Sequence, residues 1–322
     1  MSGAARSGAA KSLPPIGVFD SGVGGLTVLR ALTEALPERD FIYLGDTARL
    51  PYGTKSPETV ARYSLQCASA LLERGIDCLV VACNTASASA LHALAERHPQ
   101  MPVVGVIEAG AQAAVAASAA QQIAVIGTEG TIRGGAYQAA IRRLSPAARV
   151  TACACSMFVA LAEEGWTEGS VAEAVARRYL DPIFGGPDVP DTLVLGCTHF
   201  PILAPAIRAV LPQRVAIVDS AATTAAALAR QLGAAAVAGA MAVPGGVTQP
   251  GAMAHPGTAR RGRIRWLATD DAERFARVGR RFFGEALHPE AVEIVDLAQV
   301  PPPQAPLRLR AAAVQAASRR GE

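Results

Sequence analysis

Short apolar runs recur along the first 220 residues, each joined by a brief loop to a stretch of helical periodicity. Ile16–Asp20, Phe41–Leu44, Cys78–Ala82 and Val103–Ile107 read as strands. Helices are expected from a Gly-rich turn to about Leu36, from Ser56, and over Thr85–His98. Ser56-Pro57-Glu58 supplies an N-cap and a proline suited to a first turn. Strands that alternate this closely with helices pair in parallel, because a parallel connection needs a crossover, and a parallel sheet is covered on both faces. The rhythm restarts with strands at Ile123–Ile126, Val150–Ala152, Thr192–Leu195 and Ala216–Val218 and helices at Thr131–Leu144 and Val171–Leu180. It returns at Arg265–Ala268, Ala272–Phe283 and Val292–Leu297.

Two local echoes suggest related halves. Val80-Val81-Ala82-Cys83-Asn84-Thr85 parallels Val194-Leu195-Gly196-Cys197-Thr198-His199, and Phe19-Asp20-Ser21-Gly22 parallels Ile126-Gly127-Thr128-Glu129. The expected fold class is therefore α/β, with two pseudo-symmetric parallel-sheet domains and an active site in the cleft between them. The first domain is expected over 14–107 plus 218–298, the second over 108–217. Residues 1–13 and 299–322 read as tails, and the Ala/Gly/Pro-rich 234–262 as a linker or insertion.

Composition removes several functions. Lys11 and Lys55 are the only lysines, and Lys11 falls in the expected tail, so Schiff-base chemistry on pyridoxal phosphate has almost no candidate. A net charge of +3 spread along the chain, without a basic patch, argues against a nucleic-acid partner. The start has no apolar signal core, and the Ala-rich stretches are too interrupted to span a membrane. Six cysteines in 322 residues do not make a disulfide scaffold. A cytoplasmic, reducing setting is expected, in which cysteines are either packing or chemistry.

Ligands in parallel α/β sheets bind beyond the carboxyl ends of the strands. Asp20-Ser21, Pro51-Tyr52-Gly53, Cys83-Asn84-Thr85 and Cys197-Thr198-His199 occupy that position. One cysteine at a strand end is usually a small buried hydrophobe. Two at equivalent ends, each followed by side-chain donors and a helix start, suit a different task. A helix N-terminus is expected to lower such a thiol. Removing a Cα proton and returning one to the opposite face needs two bases, one starting as thiolate and the other as thiol. Ser21, Asn84, Thr85 and Thr198 could hold a carboxylate. Asp20 could hold an ammonium or tune Cys83, and His199 could tune Cys197. Cys67, Cys78, Cys153 and Cys155 read as structural. A dinucleotide loop at Gly22-x-Gly24-Gly25 is only a partial fingerprint, zinc lacks further ligands at recognisable spacing, and redox work lacks a C-x-x-C.

Four ordered segments then resemble glutamate racemases of the aspartate/glutamate racemase superfamily. They are Ile16 to Val28 (IGVFDSGVGGLTV), Tyr43 to Gly53 (YLGDTARLPYG), Val81 to Ser87 (VACNTAS) and Leu195 to Pro201 (LGCTHFP). The resemblance runs from about residue 15 to Ser220 and resumes more weakly at 265–297. It implies cofactor-independent interconversion of L- and D-glutamate, supplying D-glutamate for peptidoglycan; together with the charge, spacing and hydropathy readings above, no metal, no membrane and no nucleic acid are expected, and a homodimer is left open. Carried onto matching positions, Cys83 would take the proton from D-glutamate and Cys197 from L-glutamate, with Asp20 and His199 as auxiliary acid/base groups. Ser21, Pro51, Tyr52, Gly53, Asn84, Thr85, Thr128 and Thr198 would line the substrate pocket. Glu163, in Phe158 to Trp166 (FVALAEEGW), matches a glutamate assigned to the site, the alternative being a solvated helix-end carboxylate. His199 after the second Cys-Thr favours glutamate over aspartate, whose racemases tend to carry Glu there. A thiol redox protein and an amino-acid-binding module are the more distant readings.

Overall fold

A computed structural model describes residues 13–241 and 261–298. The chain begins with β1 (Ile16–Asp20), α1 (Leu26–Ala35), β2 (Phe41–Gly45), α2 (Pro57–Leu72), β3 (Cys78–Val81), α3 (Asn84–Arg97), β4 (Val103–Gly105) and α4 (Val106–Ala117). It continues through β5 (Gln122–Gly127), α5 (Glu129–Gly134), α6 (Ala136–Leu144), β6 (Arg149–Ala154), α7 (Met157–Glu164), α8 (Ser170–Phe184), β7 (Thr192–Gly196), α9 (Ala204–Val210) and β8 (Ala216–Asp219). The last elements are α10 (Ser220–Met241), β9 (Ile264–Ala268), α11 (Ala272–Phe283) and β10 (Val292–Ile294).

The strands form two sheets, one of six in the order β10-β9-β2-β1-β3-β4 and one of four in the order β6-β5-β7-β8. Every strand pair is parallel. The first sheet is completed by β9 and β10, which follow the whole second sheet in sequence. Burial explains the apolar runs. All five residues of β1, β2 and β7 are buried. Alternate residues serve different cores: Phe41 and Tyr43 join a core that continues into the second unit, whereas Ile42 and Leu44 pack with Phe19, Leu71 and Val81 on the other face. The first of these cores passes through α1, α4 and α10 to reach β5 and β7. The two sheets therefore share apolar packing.

Three sequence expectations change. Val106 and Ile107 are the first turn of α4 rather than the end of a strand, since β4 stops at Gly105. The helix expected over Thr131–Leu144 is two helices, because Gly135 takes φ +67° and breaks the hydrogen-bond ladder there. Residues 234–241 of the expected linker continue α10. The rest of that segment to residue 260, the expected tail over 1–13 apart from Leu13, and that over 299–322 lie outside the described residues. α7 is an element that periodicity alone did not separate from its surroundings.

At Gly135 nothing lies within 4 Å of the position a Cβ would take, so a side chain meets backbone cost and no clash. Gly135→Ala is expected to cost about 1 kcal/mol, and Gly135→Asn less, by chemical denaturation. Equal stability of all three proteins would show that the kink does not depend on the left-handed residue.

Candidate active site

The site is assembled by the carboxyl ends of β1, β3, β5 and β7, which face one another across the junction of the two sheets. Cys83 closes β3 as the N-cap of α3, its sulfur accepting the Ala86 N–H at 3.4 Å, with the Ser21 hydroxyl 3.7 Å away. Cys197 follows β7, its sulfur 3.9 Å from His199 Nδ1. Both thiols are about 95% buried, each 5% exposed. The Cys197 sulfur is near enough to act electrostatically on Cys83.

Asp20 ends β1 and is wholly buried. Its carboxylate accepts the Gly22 N–H at 2.9 Å and the Thr198 hydroxyl at 3.4 Å, so it ties the first unit to the second. Thr27 on α1 adds a hydroxyl bond to the Thr198 carbonyl at 3.1 Å. Such close approach requires glycine at position 24, where a Cβ would lie 2.4 Å from His199 Nδ1. A second bridge is made of hydroxyls: Thr85 lies 2.9 Å from Thr128 and 3.1 Å from Thr131, all oxygen to oxygen. Thr128 caps α5 through the Thr131 N–H at 3.4 Å. Asn84 accepts a bond from the Tyr137 hydroxyl of α6 at 2.8 Å, while its buried Nδ2 has no partner among the described residues. A buried amide N–H without an acceptor is costly, so this donor points to an anionic or carbonyl guest.

The Leu50–Thr54 loop borders the cleft. Gly53 lies so close to Thr128 that a Cβ there would meet it at 2.5 Å. Pro51, Gly53, Thr128 and Glu163 line a pocket of about 290 Å³ with Val159 and Ala160. Tyr52 turns the other way: its hydroxyl bonds to buried Asp46, which also pairs with Arg49 at 2.8 Å and accepts from Thr269 at 3.0 Å. Tyr52 can thus offer a guest only its backbone. Glu163 is no solvated helix end. Its Oε1 lies 3.2 Å from His199 Nε2, and its Oε2 accepts from Arg274 at 2.8 Å.

The electrostatics of the two thiols differ. Burial, then the charge of Asp20, pushes the Cys83 thiol up to about 12, outweighing the Ala86 N–H and the Ser21 hydroxyl. This overturns the expectation that a helix N-terminus lowers it; desolvation is the larger effect. Burial also raises Asp20, against the charge of His199 and backbone N–H donors. Burial opposes charge on His199, yet its bonds to Cys197 and Glu163 and the charges of Cys197 and Asp20 win, lifting it to about 10. For Glu163 burial is likewise outweighed, here by His199 and Arg274, and the carboxyl is held below its usual range.

Every site residue expected from sequence therefore borders this junction except the Tyr52 ring. Tyr137, Thr131 and Arg274 were not foreseen. Thr131 stands at capping distance after Thr128, a signal that was available; Arg274, 111 residues beyond Glu163, gave none. Among the described residues no group of three or more His, Cys, Asp or Glu is placed to hold a metal ion, and no helix is long and apolar enough to cross a membrane.

Because His199 is raised from 6.5 to about 10 on folding, its stabilisation is complete below about pH 6.5 and lost as pH rises through about 10. The gap in denaturation midpoint between wild type and His199→Asn is expected to be widest at the acid end of that window and to close through it. A gap that widens with pH would contradict the assigned partners.

The sequence profile of the family described as Asp/Glu/Hydantoin racemase matches residues 16–228. Glutamate racemase from Geobacter metallireducens is 49% identical over 272 residues, covering 84% of this chain and 93% of that protein. The structure of Thermus thermophilus glutamate racemase in complex with β-chloro-D-alanine is similar at TM-score 0.73 and 42% identity, covering 89% of this chain and 98% of that one. That of Francisella tularensis glutamate racemase in complex with D-glutamate matches at TM-score 0.74 and 32% identity, covering 88% and 97%. The chain belongs to the Asp/Glu/Hydantoin racemase family.

Proposed function

We propose that this protein interconverts L- and D-glutamate by exchange of the Cα proton between Cys83 and Cys197, in the cytoplasm, as a source of D-glutamate for peptidoglycan. The observation that carries the reading is the pair of buried thiols at matching strand ends of two facing parallel sheets, each with its own proton partners. Dividing the chain into 14–107 with 218–298, and 108–217, gives each half one of the two site cysteines, Cys83 and Cys197. Identity of 49% to a protein named glutamate racemase supports glutamate as the substrate, as does the D-glutamate held by the Francisella relative.

The chemistry follows from the side chains. The orphaned Nδ2 of Asn84 and the hydroxyls of Ser21, Thr85, Thr128 and Thr198 are suited to carboxylate oxygens, and Asp20 to the ammonium. The substrate ammonium adds positive charge beside Cys83, which favours the thiolate there. One thiolate then removes the Cα proton while the opposite thiol supplies another to the other face. In the L-to-D direction Cys197 is the base and Cys83 the acid; in the reverse they exchange roles. His199, bonded through Nε2 to Glu163, presents Nδ1 to the Cys197 sulfur and can hold its proton. Burial excludes water, which would otherwise re-protonate the carbanion at random.

Purified protein with reductant and no added cofactor, given L-glutamate or L-aspartate in D₂O, tests this by NMR and optical rotation together. Deuterium at Cα with loss of rotation for glutamate alone is the expected result; the same with aspartate would move the substrate assignment, and no exchange with either would remove the reading. Cys83→Ser and Cys197→Ser are each expected to lose racemisation by about 10³-fold or more. Elimination from a substrate analogue needs one base only, so each variant should retain it for one enantiomer. Substantial two-way turnover by either variant would refute the two-base assignment.

A further inference from the structure

Helix α11 reaches across the junction. Arg274, in its first turn, bonds to Glu163 Oε2 on α7 at 2.8 Å, while the other oxygen of that carboxylate lies 3.2 Å from His199 Nε2. Phe282, further along α11, sets its ring edge-on to the His199 imidazole, centroids 5.3 Å apart at 78°. Arg281 lies against Gly165, where α7 ends. Asp271 caps α11 by accepting the Arg274 N–H at 2.9 Å, which fixes the residue at the head of the helix. Exposure falls inward along the series, with side chains 38% exposed at Arg274, 14% at Glu163 and 7% at His199.

We propose that Arg274 is a positioning residue for the Cys197 side of the site: by gripping one oxygen of Glu163 it presents the other to His199, and so aims the imidazole at the Cys197 sulfur. This inference rests on the racemase reading above. A carboxylate shared between a cation and an imidazole has its rotation fixed at both oxygens. It is also a poor base while the cation is present, so it leaves the proton on His199 instead of taking it. The charged groups facing Glu163 are His199 and Arg274, with Arg281 at the end of its helix; Cys197 and Asp20 lie beyond the imidazole. An ion pair that is open to solvent on its arginine side, as Arg274–Glu163 is, contributes modestly to stability alone.

The test is a cycle of Arg274→Gln, Glu163→Gln and the double variant, with Arg274→Lys as the conservative control. Racemisation of glutamate is followed against pH, and the Glu163 side-chain carboxyl by ¹³C NMR in the substrate-free protein. Removing the cation should raise the Glu163 titration by about one unit and carry the acid limb of kcat/KM upward with it. At pH values on that limb activity falls up to about 10-fold, and Arg274→Lys restores most of it. In the Glu163→Gln background Arg274→Gln should have no further effect, because both act through one carboxylate. Wild-type exchange with an unmoved acid limb and unmoved Glu163 titration would overturn this inference alone, as would fully additive losses in the cycle. A wild type that exchanges no α-proton would overturn the functional reading first.

Discussion

A carboxylate shut away from water joins the two halves of this molecule. Asp20 has no exposure, and the cost of burying it is offset by donors to its oxygens, the Gly22 N–H and the Thr198 hydroxyl among them. The Thr198 bond sets the turn after β1 against the loop after β7. Gly24 then clears space for the His199 ring, and Thr27 holds the Thr198 backbone. The position of Cys197 relative to Cys83 is a consequence of this registration, as is the charge that each thiol meets.

The charges are unequal by construction. Cys83 faces a carboxylate and is kept neutral by burial, whereas Cys197 faces an imidazole that burial fails to discharge. On the proposed chemistry the two sides of one carbon therefore meet different proton inventories, although the overall equilibrium between enantiomers is symmetric. The two directions can differ in how tightly substrate is held and how fast it turns over, but those differences must cancel in kcat/KM.

Much of this was legible in the chain. Runs such as Phe41–Leu44 declare a doubly buried strand because residues facing opposite cores are apolar alike, and the Cys-Asn-Thr and Cys-Thr-His segments lie at strand ends where parallel sheets bind ligands. The helix break at Gly135 was hidden because periodicity reports which face is apolar, and the φ of one glycine leaves that pattern intact. The direction of the Cys83 shift was misread for a related reason: a helix start is visible in sequence, whereas desolvation by residues far along the chain is not. Arg274 was invisible altogether. One arginine among many on an amphipathic helix acquires meaning only when α7 is packed beside it.

The order of the strands has a consequence for how the protein is made. β9, β10 and α11 belong with the first sheet yet are synthesised after the second one is complete. Until they arrive, β2 has an unpaired edge and Glu163 lacks its cation. A chain emerging from the ribosome thus carries both thiols before it carries the helix that packs beside one of them. Residues 264–294 carry both the strands that complete the first sheet and the arginine that meets Glu163.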